Sequence, residues 1–270
     1  MRKCLQNIAF TALAIVFLSW LVRLYDSSLR DPSFFSGWIL FTGMAAQWLL
    51  HFRKQLPMLP LGRAATWLKT HIYFGYFVIA VFLLHTDFSM PDNWFEWVLW
   101  SLFMLVAASG VIGAYLSWSV PAKLEQYSGP KTFESIPAIR YRLAEKAGRL
   151  ALSSVDQSGS LAISNIYADT LRDFFVRPQN LLAHLRGSQR SVKQICDELK
   201  TLERHVDEAG KKTLRSIRNL ALAKDKLDFQ HAHQGLLQCW LFIHIPATYC
   251  LIVAVILHVS IIYAYSSGAP

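Results

Sequence analysis

The sequence predicts an all-α membrane protein of five transmembrane helices, with a mainly helical cytoplasmic insert between helices 4 and 5. Three observations predict it. The 270 residues are 53% hydrophobic with mean hydropathy +0.29, and 17% are charged, where soluble domains average about 25%. The apolar residues gather in runs near or above the ~20 needed to cross a bilayer core. One long polar block separates the fourth run from the last, and strand signals in it are weak. The chain accordingly divides into residues 1–118 (helices 1–4), 119–236 (insert) and 237–270 (helix 5 and a short outer tail).

The first span follows a basic start, MRKCLQN, and occupies the run from Ile8 to Leu21. A charged stretch before an apolar one is also the layout of a signal peptide, but SWLVRLYDSS follows with no small-x-small cleavage site. The span is therefore read as starting on the cytoplasmic side. The second covers about Phe34 to Leu50 and leads into a loop with Arg53, Lys54, Arg63 and Lys69, which marks an inner face. His51 reads as an interfacial histidine at its edge. The third, about Ala65 to His85, ends in TDFSMPDNWFE, which has three acidic residues and no Lys or Arg and so is placed outside.

The fourth span, about Trp94 to Trp118, carries Trp94, Trp97, Trp100 and Trp118 as interface anchors. Its Gly110 and Gly113 form a small packing face or give clearance for a cofactor. The insert has 19 Lys and Arg against 13 Asp and Glu, which keeps it on the inner side. Within it Val192, Ile195, Leu199, Leu202 and Val206 recur at three- and four-residue steps, the stripe of an amphipathic helix. His184 and His205 are expected to be solvated there, and His231 and His233 have HxH spacing without a surrounding ligand set. The last span runs from about Trp240 to Tyr265, with Pro246 inside it.

The net charge of +9 and pI of about 9.5 fit the positive-inside rule better than nucleic-acid binding, so membrane lipid and not nucleic acid is the expected surrounding. The four cysteines are scattered and form no CxxC, which argues against an iron–sulfur cluster, a zinc ribbon or a covalently attached haem. No GxGxxG or GxxxxGK[ST] occurs, so a nucleotide or flavin fold is unsupported.

Two spans carry the same pair of histidines. The third holds His71 and His85 and the last holds His244 and His258, each pair 14 residues apart. At about 100° per residue the rotation falls ~40° short of four full turns, so each helix presents two imidazoles on one face, about 21 Å apart along the axis. With the N-terminus inside, both helices run inside to outside. His71 and His244 then form an inner pair, and His85 and His258 an outer pair. Ionisable groups inside a span are costly and point to function; matched pairs at matched depth suit axial ligation of two haem irons.

These residues, with the HIP motif after Leu241-Phe242-Ile243 and the LLH and ILH endings, resemble the dihaem transmembrane b-type cytochromes. That group includes the cytochrome b/b6 proteins, the ferric reductase and NADPH oxidase membrane domains, and bacterial haem-b subunits of respiratory enzymes. In the oxidase-like proteins the ligands also sit on the third and fifth helices. This chain differs in lacking a sixth span and a flavin domain, and from cytochrome b/b6 in its short N-terminal bundle and large insert. The resemblance covers the spans and not residues 119–236. It implies two b-type haems held by His71/His244 and His85/His258, and no catalytic residue of the chain's own. The implied function is an electron-carrier subunit in a bacterial inner membrane, exchanging with a quinone or with redox proteins that dock on the insert or the outer face. Arg63, Lys69, Arg53 or Lys54 either pair with inner propionates or serve topology alone, and Arg23 or Arg30 have the same two readings outside. The alternatives are a ferric reductase-like oxidoreductase and a haem-free receptor or anchor with a helical cytoplasmic domain.

Overall fold

A computed structural model of the chain describes residues 2–26, 32–48, 62–127, 132–158, 161–188 and 190–266, and no strand occurs among them. The helices are α1 (Arg2–Asp26), α2 (Pro32–Gln47), α3 (Ala64–His85), α4 (Trp94–Tyr127), α5 (Ile136–Ser158), α6 (Ala162–Ile166), α7 (Arg172–Val176), α8 (Leu181–Leu185), α9 (Arg190–Leu202) and α10 (Glu208–Ser266). They form two compact units. The first comprises residues 1–114 and 241–270, the second residues 115–240, with the divisions falling inside α4 and α10.

Four described helices are long and apolar enough to cross a membrane: Gln6–Leu24 within α1, α3, α4 and α10. The second predicted span corresponds to α2, which has 16 residues and no charged side chain. At 1.5 Å per residue it is about 24 Å long, short of a ~30 Å hydrocarbon core. α4 and α10 also run past the predicted span ends, to Tyr127 and from Glu208. Hydropathy marks where apolar side chains stop, and the backbone ladder continues through the good helix formers beyond them.

In the first unit α2 and α3 pack antiparallel at close range. Gly37 lies against His85, Gly43 against Val78, and Gly75 against Gln47; an added Cβ would stand 3.1, 3.1 and 3.0 Å from these side chains. Small residues at such contacts let helix backbones approach. Phe82 of α3 and Phe103 of α4 stack with ring centroids 3.8 Å apart. Leu18, Leu40, Val78, Val81 and Leu251 complete this core. The other faces are apolar too: Phe10, Leu13, Ile112, Phe242 and Val253 are all exposed.

Both ends of the α3–α4 connection are fixed locally. Phe88 N–H donates to the Leu83 carbonyl and Asp87 N–H to the Leu84 carbonyl. This Schellman arrangement has Asp87 and Phe88 in the left-handed region at φ 47° and 54°. Across the loop, the Asn93 side chain accepts from Glu96 N–H at 3.0 Å, and the Glu96 carboxylate accepts from Asp92 N–H at 3.2 Å. The pairing resembles a capping box and starts α4 at Trp94.

The second unit packs α5 to α9 and the first half of α10 around Ala147, Ile163, Phe174, Phe175, Leu214 and Ile217. The predicted stripe lies on α9, with Val192, Ile195 and Leu199 buried and Leu202 and Val206 half-buried against the same core.

Candidate functional site

The four span histidines are all half-buried and lie in the first unit. His85 is the last residue of α3, so the capped turn that follows it sets where its ring can reach. The ring lies against α2. Its Nδ1 is 3.0 Å from Ser36 Oγ, and its Cε1 occupies space that a side chain on Gly37 would need. Ser36 is 2% exposed and donates its hydroxyl to the Ser33 carbonyl at 3.2 Å.

His244 has the same arrangement against a different helix. Its Nδ1 is 2.6 Å from Ser109 Oγ on α4, and its Cε1 lies 3.9 Å from the position of a Cβ on Gly110. Ser109 is also buried and donates to the Val106 carbonyl at 2.9 Å. A Ser-Gly dipeptide thus cradles one imidazole from each predicted pair. Two residues along from His244, Pro246 lacks an N–H, and the Thr248 hydroxyl bonds the His244 carbonyl at 2.8 Å.

His85 and His258 line one cavity of about 460 Å³, although 173 residues of chain separate them (258 minus 85). Phe82, Phe103, Trp100 and Val255 form apolar walls, and Asp92 of the connecting loop and Glu96 in the first turn of α4 contribute carboxylates. Volume and lining fall within the range of cofactor pockets. His258 also stacks on Phe95 at 6.3 Å. Phe95 opposes His258 near the start of α4, and Ser109 opposes His244 one helix stretch later. α4 and the last helix are therefore antiparallel, as α2 and α3 are. The shared cavity joins the C-terminal ends of α3 and of α10's apolar part, so these two run in the same direction. His71 lies one turn before Gly75, where α3 meets Gln47 of α2.

Of the other predicted site residues, Arg23, Arg63 and Lys69 are exposed. Arg30, His51, Arg53 and Lys54 lie outside the described residues. His205 is exposed as expected, but His184 is not solvated: it is 4% exposed, with Nε2 3.5 Å from Asp225 Oδ1. Its polar neighbourhood hid a buried face. The HxH pair has a structural setting. Arg140 donates to His231 Nδ1 at 2.9 Å, which puts the ring proton on Nε2 and leaves no lone pair for a metal. His233 Nδ1 bonds the Phe229 carbonyl at 2.9 Å. Among the described residues, no cluster of three or more His, Cys, Asp or Glu is placed to hold a metal ion.

The sequence reading missed the two serines. The available signal was the Ser-Gly dipeptide inside two apolar helices, since the chain's other Ser-Gly dipeptides lie in polar stretches or the tail. The buried charges of α10 were missed as well. Lys224 (0% exposed) pairs with Asp228 (1%) at 2.5 Å and donates to the Arg177 carbonyl at 2.9 Å. Asp228 also accepts from Gln179 N–H and faces Arg140 at 3.6 Å. Burial pushes the Lys224 ammonium below its ordinary range, with Asp228 opposing.

Comparison with protein-family models, curated proteins and solved structures finds no match to this chain.

Proposed function

We propose that the protein is a transmembrane electron-transfer cytochrome b subunit carrying two b-type haems, each ligated by two histidines: His71 with His244 near the inner surface and His85 with His258 near the outer. The observation that carries this reading is the cavity lined by His85 and His258 from co-directional helices. The residues suit the group. The donors are imidazoles, the walls are aromatic and aliphatic, and Gly37 leaves room for the His85 ring where a side chain would intrude. When bound, each haem supplies a one-electron iron couple with no open coordination position. The chain's own part is to hold two such centres about 21 Å apart along the helices, exclude water from them, and set their ligand geometry.

In this reading α1, α2, α3, α4 and the apolar part of α10 form a five-helix membrane bundle. The exposed apolar side chains of α1, α4 and α10 face lipid, where unpaired apolar surface has no cost. The bundle sits in a bacterial inner membrane with the N-terminus and the 119–236 region cytoplasmic. Electrons cross between a quinone or redox protein on one face and an acceptor on the other, with the insert as a docking platform.

Histidine substitutions test the pairing. His85→Leu and His258→Leu should each remove the same haem, leaving one haem per chain with an unchanged spectrum. His71→Leu and His244→Leu should each remove the other. Two haems retained in either outer variant, or loss of different haems within one pair, would contradict the assignment.

A further inference from the structure

We infer that Ser36 and Ser109 are positioning residues that fix the tautomer of one axial imidazole at each level, and so tune the two iron couples separately. The inference rests on the haem reading above. A serine hydroxyl has one proton and two lone pairs. Ser36 gives its proton to the Ser33 carbonyl and Ser109 gives its own to the Val106 carbonyl. Both contacts of each Oγ are hydrogen bonds at once only if the facing histidine donates, at 3.0 Å from His85 and 2.6 Å from His244. In that arrangement Nδ1 carries the hydrogen and the ring lone pair is on Nε2.

That is the tautomer needed for iron ligation through Nε2. Binding a metal-ligating histidine at its other nitrogen orients the ring and raises its basicity as a ligand. The two cradles are built alike but on different helices, α2 for His85 and α4 for His244. Both serines are more than nine-tenths buried, so water does not readily replace them. A more basic ligand favours ferric over ferrous iron. Losing the serine acceptor should therefore raise the reduction potential of the haem it serves and leave the other unchanged.

The test is a potentiometric titration of the purified full-length protein, following each haem's visible band, with haem counted per chain. Ser36→Ala should raise the outer couple and Ser109→Ala the inner one. Each shift should reach up to about tenfold in the oxidised-to-reduced ratio, or ~59 mV for a one-electron couple. Ser→Thr at either position keeps the hydroxyl and should restore the wild-type value. Haem lost in an Ala variant but kept in its Thr counterpart would also support the role. Unchanged potentials in both Ala variants with two haems bound would overturn the inference and leave the haem reading standing. Haem loss in the Thr variants as well as the Ala ones, with helix content retained, would also overturn it. Wild-type protein without haem would instead sink the underlying reading.

Discussion

At the scale of single residues, two glycines meet two imidazoles at different distances, and the difference has a consequence. A Cβ at Gly37 would stand 3.1 Å from His85 Cε1, tighter than ordinary contact, whereas one at Gly110 would stand 3.9 Å from His244 Cε1. Gly37→Ala should therefore displace the His85 ring and lower haem retention at that level. Gly110→Ala should leave binding close to wild type. Haem content after detergent purification reads both, and equal behaviour of the two variants would contradict the packing described. The stacked pair in the core makes a second residue-scale prediction: Phe103→Ala should cost about 3–5 kcal/mol of stability, because Phe82 loses a partner 3.8 Å away. The histidines were legible because helical spacing alone places them on one face. Their serine partners were not, since Ser36 and Ser109 are 49 and 135 residues from the rings they hold; only tertiary packing brings them there.

At the scale of elements, the break between α7 and α8 is tied to α10 by buried charge. Asp228 receives Lys224, Arg140 and the Gln179 N–H, while Lys224 also holds the Arg177 carbonyl. Removing the carboxylate strands two buried cations, so Asp228→Ala should cost about 3–5 kcal/mol. Arg140→Ala should cost less, because Lys224 still neutralises the aspartate. A thermal melt of the second unit's helical signal gives the order, and the reverse order would refute this account of the network. The same region predicts a pH response. Burial first, with Arg140 adding to it, pushes His231 below its ordinary range; burial also pushes His233 down against the Phe229 carbonyl. The unfolded chain then takes up protons below about pH 6.5 that the folded one refuses. Stability from these histidines is complete above that pH and is lost as the pH falls below it. The melting temperature should drop between about pH 6.5 and 5, and the double variant His231→Gln/His233→Gln should flatten the drop. Of these elements α9 was readable from its apolar stripe. The face of α10 carrying Lys224, Asp225 and Asp228 was not, because charges in sequence read as solvated unless their partners are known.

At the scale of the whole molecule, helical character and the long apolar segments follow from composition and hydropathy. The ends of α4 and α10 do not, since backbone bonding continues where apolar side chains stop. If the four long apolar helices cross a bilayer, the protein should stay in the membrane fraction after alkaline carbonate washing and leave it only with detergent; release by carbonate alone would contradict that. The central claim is more specific: two co-directional helices hold two irons between four imidazoles. Haem counted per chain in detergent-purified protein from haem-replete cells, with the reduced-minus-oxidised spectrum of the same sample, tests it most directly. The account predicts two b-type haems per chain, both low-spin in the oxidised and reduced states. A colourless protein, or a single haem whose spectrum is unaffected by replacing any of His71, His85, His244 or His258, would contradict it.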